Sequence, residues 1–289
     1  MEAGSLEGWW EAGARRRLPL GDVEREVFVM RTGAGPSLTL LHGFPSSSHD
    51  WAKVTPALAA RHAVLAPDFL GFGASEKPPD HAYSLIEQAD LVEALWESEG
   101  VEMTAIVAHD YAVSVAQELL ARRAAGALRV DLTNVLFLNG GLYPDLHRPE
   151  PGQLALLDPE QGPALSELID ENLFTMSLGP TFADGFDAGA DSAAIWAATS
   201  RDDGQRLLHR LIGYIPDRVA NADRWTGALE GTDVPTAFVW GMLDPVSGAH
   251  MAERIRERLP DAPFLALGDC AHWPQLEAPS LVADAILEL

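Results

Sequence analysis

Cysteine is almost absent from the 289-residue chain: Cys270 stands alone, which excludes an intramolecular disulfide and makes a reducing compartment the expected one. Lysine is nearly as scarce. Lys53 and Lys77 are the only two, and 20 basic residues face 43 acidic ones for a formal charge of −23. Such a chain is repelled by phosphate backbones and anionic headgroups, so neither nucleic acid nor a membrane is expected as a partner. No uninterrupted apolar run approaches the roughly 18 residues of a spanning helix. Met1–Glu11 is acidic and lacks the basic stretch and apolar core of a secretion signal. A soluble, cytoplasmic protein is expected. No internal repeat is present. The length suffices for one large core carrying an insertion.

The most informative stretch is Thr104–Val113. A β-branched, apolar run from Thr104 to Val107 meets Ala108, then His109, Asp110 and Tyr111, then Ala112. From Val113 a helical pattern continues through Ala116, Gln117, Leu119 and Leu120. The order is strand, sharp turn, helix. A hydrolase elbow has this form: the nucleophile sits at the tip of a strained turn, with small neighbours because the backbones crowd there. Here the tip is Asp110. A carboxylate in that place attacks saturated carbon and forms an ester that water must later cleave. Taken alone, Asp110 reads equally well as a helix N-cap, where Asp is favoured.

Around this stretch the chain alternates strands and helices. Arg16–Leu20 and Glu24–Arg31, separated by Gly21-Asp22, read as a hairpin. Ser37–Leu41 is a strand ending in His42-Gly43-Phe44-Pro45, and a helix carrying Trp51, Val54 and Leu58 follows. Ala63–Ala66 is a strand ending in the glycine-containing loop Asp68–Gly73, Ser84–Glu99 is a helix, and Val135–Leu138 is a strand ending in Asn139-Gly140-Gly141. This alternation implies parallel strands with crossover helices, an α/β fold. From Leu142 to Trp225 no strand is evident. Helical patterns there cover Leu154–Leu157, Leu165–Met176, Ala193–Thr199 and Arg206–Tyr214. The alternation resumes with a strand at Thr236–Trp240, a helix at His250–Arg258, a strand at Pro263–Leu267 and a helix at Ser280–Leu289. The expected organisation is one core in two parts, 1–141 and 226–289, interrupted by a helical cap over 142–225.

Two further residues follow late strands: Asp244, after Trp240–Leu243, and His272, after Gly268–Ala271. Singly, the first reads as a turn residue before Pro245 and the second as a loop histidine. Together, Asp110, Asp244 and His272 have the order nucleophile, acid, base that α/β-hydrolases use. No metal or cofactor is needed by such a triad, and none is expected.

These residues carry a family resemblance. With His42–Pro45, Asp68–Ser75, His109–Tyr111 and His272–Pro279, the chain resembles the aspartate-nucleophile branch of the α/β-hydrolase superfamily, which includes epoxide hydrolases and haloalkane and fluoroacetate dehalogenases. More narrowly, Val115–Leu120, His147-Arg148-Pro149, Leu243–Val246 and Pro274–Glu277 resemble the mesoderm-specific transcript proteins of vertebrates and their bacterial relatives. The resemblance runs from about residue 40 to the end and is weakest through the cap. It departs at Ala112, where the pattern has glycine. What it implies is an α/β-hydrolase fold with helices on both faces of a mostly parallel sheet. It further implies a covalent ester on Asp110, an oxyanion hole from the N–H groups of Phe44 and Tyr111, and a water activated by His272 with Asp244 orienting it. The expected substrate is small, apolar and electrophilic, with water as co-substrate, and the expected state is monomer or homodimer.

The leaving group separates the branch's reactions. Haloalkane dehalogenases place a halide-binding tryptophan after the nucleophile and an asparagine in the His42 motif; here those positions are Tyr111 and Phe44. Fluoroacetate dehalogenases place arginine after the nucleophile, which Tyr111 also fails. Epoxide hydrolases protonate the opening ring with cap tyrosines, and Tyr214 is the first candidate, Tyr143 the second. Trp196 is the cap residue that would serve a dehalogenase. Epoxide hydrolysis is therefore the favoured expectation, haloalkane dehalogenation or another α/β-hydrolase activity the alternative. A non-catalytic binding or regulatory protein on the same fold is the alternative of another class.

Overall fold

The computed structural model describes residues 4–289, so the acidic start read over Met1–Glu11 lies partly outside the described residues. From Leu6 a short helix, α1 (Leu6–Ala12), begins; its apolar residues were too few to be read as a helix. The expected hairpin follows as β1 (Ala14–Leu20) and β2 (Val23–Thr32), paired antiparallel across Gly21-Asp22. Next come β3 (Ser37–Leu41), a 3-10 turn over Ser48–Trp51, the short α2 (Thr55–Ala59) and β4 (Ala63–Pro67). α3 (Leu85–Glu99) is capped by Ser84, whose hydroxyl accepts from Glu87 N, and ends at Gly100, whose φ of 66° is the left-handed conformation that glycine tolerates. β5 (Met103–His109), α4 (Tyr111–Ala124) and β6 (Asp131–Leu138) complete the first part.

Between Leu138 and Thr236 the described elements are helices and 3-10 turns. α5 (Pro151–Leu157) starts with a reciprocal box between Glu150 and Gln153. The pattern read as one helix over Leu165–Met176 is two, α6 (Gln161–Leu168) and α7 (Glu171–Leu178). Asp170 breaks it: its carboxylate accepts from Leu173 N at 2.9 Å and starts a new helix. α8 (Gly189–Ser200) precedes a kinked 3-10 segment, Arg201–Leu207, and α9 (Leu208–Leu211). Tyr214 then opens α10 (Tyr214–Ala220) rather than closing the preceding helix, because the chain turns at Gly213. α11 (Ala222–Gly231) spans the expected cap boundary at 225 and packs along α4. β7 (Thr236–Gly241), α12 (Ala249–Arg258), β8 (Phe264–Leu267), the single turn α13 (Pro274–Glu277) and α14 (Pro279–Leu287) finish the chain.

The strands form one eight-stranded sheet in the order β1-β2-β4-β3-β5-β6-β7-β8. β3 to β8 run parallel, and β2 joins β4 antiparallel. Alternate residues on a strand point to opposite faces. Ile106 and Ala108 accordingly join the cluster beneath α3, α4 and α11, while Val107 joins the one beneath α1, α2 and α14. Both faces being covered, the central strands are largely apolar, with buried Thr39, Thr104 and His109 as exceptions. A third cluster, with Phe174, Ile195 and Trp273, ties the interrupting helices to the segment around His272. Among the described residues no helix is long and apolar enough to cross a membrane.

Candidate active site

Asp110 follows β5 and adopts φ 49° and ψ −102°, a backbone conformation that costs a non-glycine residue about 1–3 kcal/mol. Its surroundings hold it there. Its N–H donates to the Asn139 carbonyl at 2.8 Å, and small neighbours let the backbones approach. A Cβ on Gly43 would lie 3.0 Å from that of Asp110, and one on Gly140 2.8 Å from the Asp110 carbonyl oxygen. Both glycines occupy motifs that follow neighbouring strands, so the elbow is shaped from the sheet's own carboxyl ends. Ala112 is fully buried and the elbow forms with it in place.

The Asp110 carboxylate accepts a hydrogen bond from Phe44 N at 3.0 Å through Oδ2. Tyr111, the other expected oxyanion donor, opens α4, where an N–H has no acceptor within the helix. Its ring turns away into a cluster with Phe69, Phe72 and Tyr214. On the other side, His272 Nε2 lies 3.9 Å from Asp110 Oδ1, and its Nδ1 is 2.9 Å from Asp244 Oδ2. Asp244 is itself held: its carboxylate accepts from Asn139 Nδ2 (2.9 Å), Ser247 Oγ (2.6 Å) and Val246 N (2.8 Å). Asn139 also bonds both backbone groups of Gly241, so one amide clamps β6 to β7 and orients the acid. The structure thus brings together the three residues that the sequence singled out as nucleophile, acid and base.

Charge follows from this packing. Burial works against the anions, but His272 pulls Asp244 well below the usual carboxylate range, and His272 and Arg218 bring Asp110 below it too. For His272, burial alone favours the neutral ring; the two carboxylates outweigh it and push the imidazole up to about 9. His109 behaves oppositely. Buried beside His272, it is held down to about 3, and Gln275 Nε2 donates to its Nδ1 while its Nε2–H donates to the His272 carbonyl (3.1 and 2.8 Å). This neutral ring braces the loop that carries His272.

A cavity of about 340 Å³ opens above Asp110 and His272, walled by apolar side chains such as Leu156, Leu165, Ile169 and Leu208 from the interrupting helices. Tyr214 lies behind this wall. Its ring packs against Phe44 (5.5 Å) and its hydroxyl oxygen accepts from Nε2 of Gln153, which does line the cavity (3.1 Å). Burial, then the Asp110 charge, push its phenol far above the usual range, so it keeps its proton.

The other two cap candidates are placed elsewhere. Tyr143 turns toward Arg254, 5.6 Å from its ring, and lines a surface depression with Glu230 and Arg258, so it does not meet the cavity. Trp196 packs on Phe174 at 5.2 Å and is not part of the cavity wall, because Phe174 stands in front of it. Both were chosen by residue type and position in the interruption, neither of which sets side-chain direction.

Neither Arg218 nor His147 stands out in the sequence as a site residue, although His147 belongs to a motif of the family resemblance. Arg218, 1% exposed, sends Nε to Ser114 Oγ (2.8 Å) and Nη2 to the Asp110 carbonyl (2.6 Å), and Nη2 is 3.9 Å from Asp110 Oδ1. Its neighbours Asp217 and Arg210 make it look like an ordinary surface arginine, and nothing local marks it. His147 lies 6.5 Å from Tyr214 with a buried Nε2 that has no partner, and burial followed by the Arg218 charge hold it down to about 3. Among the described residues there is no cluster of three His, Cys, Asp or Glu side chains suited to a metal ion.

A parallel sheet with helices on both faces, a carboxylate on a strained strand-to-helix turn, and an acid and histidine after later strands define the α/β-hydrolase class. The chain belongs to that family: residues 36–279 match the family model for the alpha/beta hydrolase fold. It is 38% identical over 292 residues to LipZ of Mycobacterium tuberculosis, covering 100% of this chain and 99% of that one. It is 39% identical over 256 residues to the human mesoderm-specific transcript homolog protein, covering 86% of this chain and 76% of that protein. The fold is also that of the haloalkane dehalogenase DbeA from Bradyrhizobium elkani, at TM-score 0.78, 22% identity and 96% coverage of each chain. The epoxide hydrolase CorEH gives TM-score 0.74 and 22% identity, with 96% of this chain and 97% of that chain covered.

Proposed function

We propose that the protein hydrolyses small apolar epoxides to diols through an ester on Asp110. The observation that carries this reading is the Asp110 carboxylate, with one oxygen on Phe44 N–H and the other facing His272 at the floor of an apolar cavity. Asp110 Oδ1 attacks a ring carbon, the carbon–oxygen bond breaks, and its electron pair goes to the ring oxygen, which takes a proton from Tyr214 once the Gln153 side chain that separates its hydroxyl from the cavity moves aside. His272 then removes a proton from water, the hydroxide adds to Cγ of the ester, and collapse breaks the Cγ–O bond. The departing alkoxide takes the new carboxyl proton and leaves as the diol, Asp110 retains one water-derived oxygen, and the Tyr214 phenolate takes back a proton from solvent, equal to the one His272 sheds when the ester forms. Ester formation also prepares the base. It removes the anion 3.9 Å from His272, so the imidazole loses one of the two charges that keep it protonated.

The geometry favours an epoxide over a halide through its donors. Trp273 is the indole at the cavity wall, and its Nε1 is committed to Thr181 Oγ1 at 2.8 Å. Trp196 stands behind Phe174. Tyr214 has a retained proton and a place beside Asp110, with Gln153 between its hydroxyl and the cavity. A non-catalytic role on this fold fits less well with an open cavity that ends on Asp110 and His272. Single turnover of an aryl or alkyl epoxide in labelled water is expected to leave label in Asp110, and His272→Gln to accumulate the adduct by mass spectrometry. Label confined to product on the first turnover rejects the ester. Tyr214→Phe is expected to slow ring opening by roughly 100- to 1,000-fold. Bromide release from bromoalkanes with no action on epoxides replaces this reading with dehalogenation.

A further inference from the structure

We infer that Arg218 is the built-in counter-ion of the nucleophile, a positioning residue that pins the strained Asp110 turn and keeps its carboxylate ionised. The inference deepens the proposed ester mechanism and rests on it for its catalytic meaning, but its physical content concerns the resting protein alone.

The geometry is specific. A guanidinium is a planar, permanent cation with a fixed fork of donors, and burying one without an anion is costly. Arg218 is fully enclosed, and Asp110 is the one carboxylate within 4 Å of it among the described residues. Two arms of the fork are spent on holding the elbow. Nε takes Ser114 Oγ on the first turn of α4, and Nη2 takes the main-chain carbonyl of the residue at φ 49°. The fork therefore spans the turn from tip to helix. Nη1 has no hydrogen-bond partner among the described residues, and Gly141 makes room for it: a Cβ there would stand 2.7 Å from Nη1. The ring of Tyr214 covers the guanidinium at 4.6 Å. α10 thus carries both residues that act on Asp110 from the cap side.

The groups facing Asp110 are His42, His109 and His272 from the core and Arg218 and Tyr214 from α10, with His147 near Tyr214. His42 and His109 are held neutral by burial, so His272 and Arg218 supply the positive charge. His272 must lose its proton before the second step so that it can take one from water. Arg218 need not, and it is the cation that stays when the carboxylate is regenerated. Conversely, the ester leaves Arg218 buried without its counter-ion, which disfavours the intermediate and drives its hydrolysis.

The test is the titration of the Asp110 carboxyl, followed by carbon NMR in the ligand-free full-length protein. Arg218→Gln keeps a hydrogen-bonding side chain and removes the charge; the titration is expected to rise by about 1–3 pH units. Arg218→Lys keeps a cation, and its titration is expected to stay near that of the wild type. If Arg218→Gln does not fold, Gly141→Ala provides the same readout, because its methyl group must displace the guanidinium; a smaller rise is expected. An unchanged Asp110 titration in folded Arg218→Gln, or in Gly141→Ala where that substitution stands in, overturns the inference. So does an equal rise in Arg218→Lys. Because the measurement uses no substrate, it separates from the labelled-water experiment: absence of label in Asp110 ends the ester mechanism and leaves the counter-ion result standing.

Discussion

The protonation of His272 offers a direct test of the coupling between the two chemical steps. In the resting protein the imidazole lies 2.9 Å from Asp244 and 3.9 Å from Asp110, and despite burial it is pushed up to about 9. Asp110→Asn removes the second of these anions while nearly preserving shape, and so imitates the charge of the ester. Opposite unit charges at that distance attract by about 4 kcal/mol at an effective dielectric of about 20, equivalent to about 3 pK units. Carboxylates within such a distance generally move a partner by about 1–3 units. The His272 titration is therefore expected to fall from about 9 to about 6–8. The sign is fixed. A group raised above its ordinary value stabilises the fold below about 6.5 and loses that contribution as pH rises through its folded value; removing the anion narrows that window. Imidazole NMR on wild type and Asp110→Asn, with His272→Gln supplying the assignment, measures the shift. A His272 titration that stays at about 9 or rises in Asp110→Asn refutes the coupling, and with it the account of how the base becomes available.

Other substitutions probe the supports. Asp244→Asn removes the charge that orients and charges His272, and ester hydrolysis in single-turnover experiments is expected to slow by roughly 100- to 10,000-fold, with alkylation less affected. Asn139→Ala leaves Gly241 N–H and C=O and one bond to Asp244 unmet, so denaturant unfolding should show a loss of about 2–4 kcal/mol. Glu118→Gln strips the anion that accepts from Arg122, Arg224 and the buried Trp225 indole, and chemical denaturation should show about 1–3 kcal/mol of lost stability, with the Asp110 chemistry unaltered. Gly43→Ala places a methyl 2.9 Å from His109 Nδ1 and 3.0 Å from Asp110 Cβ; turnover is expected to fall at least about tenfold while the fold persists, because the elbow must shift to accommodate it.

What the chain determined by itself was whatever depends on neighbours along it. Continuous β-branched, apolar runs and small residues after them set the strands and the elbow, and the residues after β5, β7 and β8 were found because parallel strands deliver their carboxyl ends to one edge. That rule let Asp110, Asp244 and His272 be placed together from residues 134 and 28 apart in the numbering. The run of helices between β6 and β7 was legible too, as a loss of strand pattern. Its side-chain directions were not. A helix residue's facing depends on where the helix starts and what it packs against, so the break at Asp170, the turn at Gly213, and the aim of Tyr143 away from the cavity could not be read. Arg218 is the sharpest case. Nothing within ten residues of it distinguishes it from other arginines in an acidic chain, and its role exists only because α10 returns to the elbow 108 residues away, where a guanidinium shut off from water must find its anion.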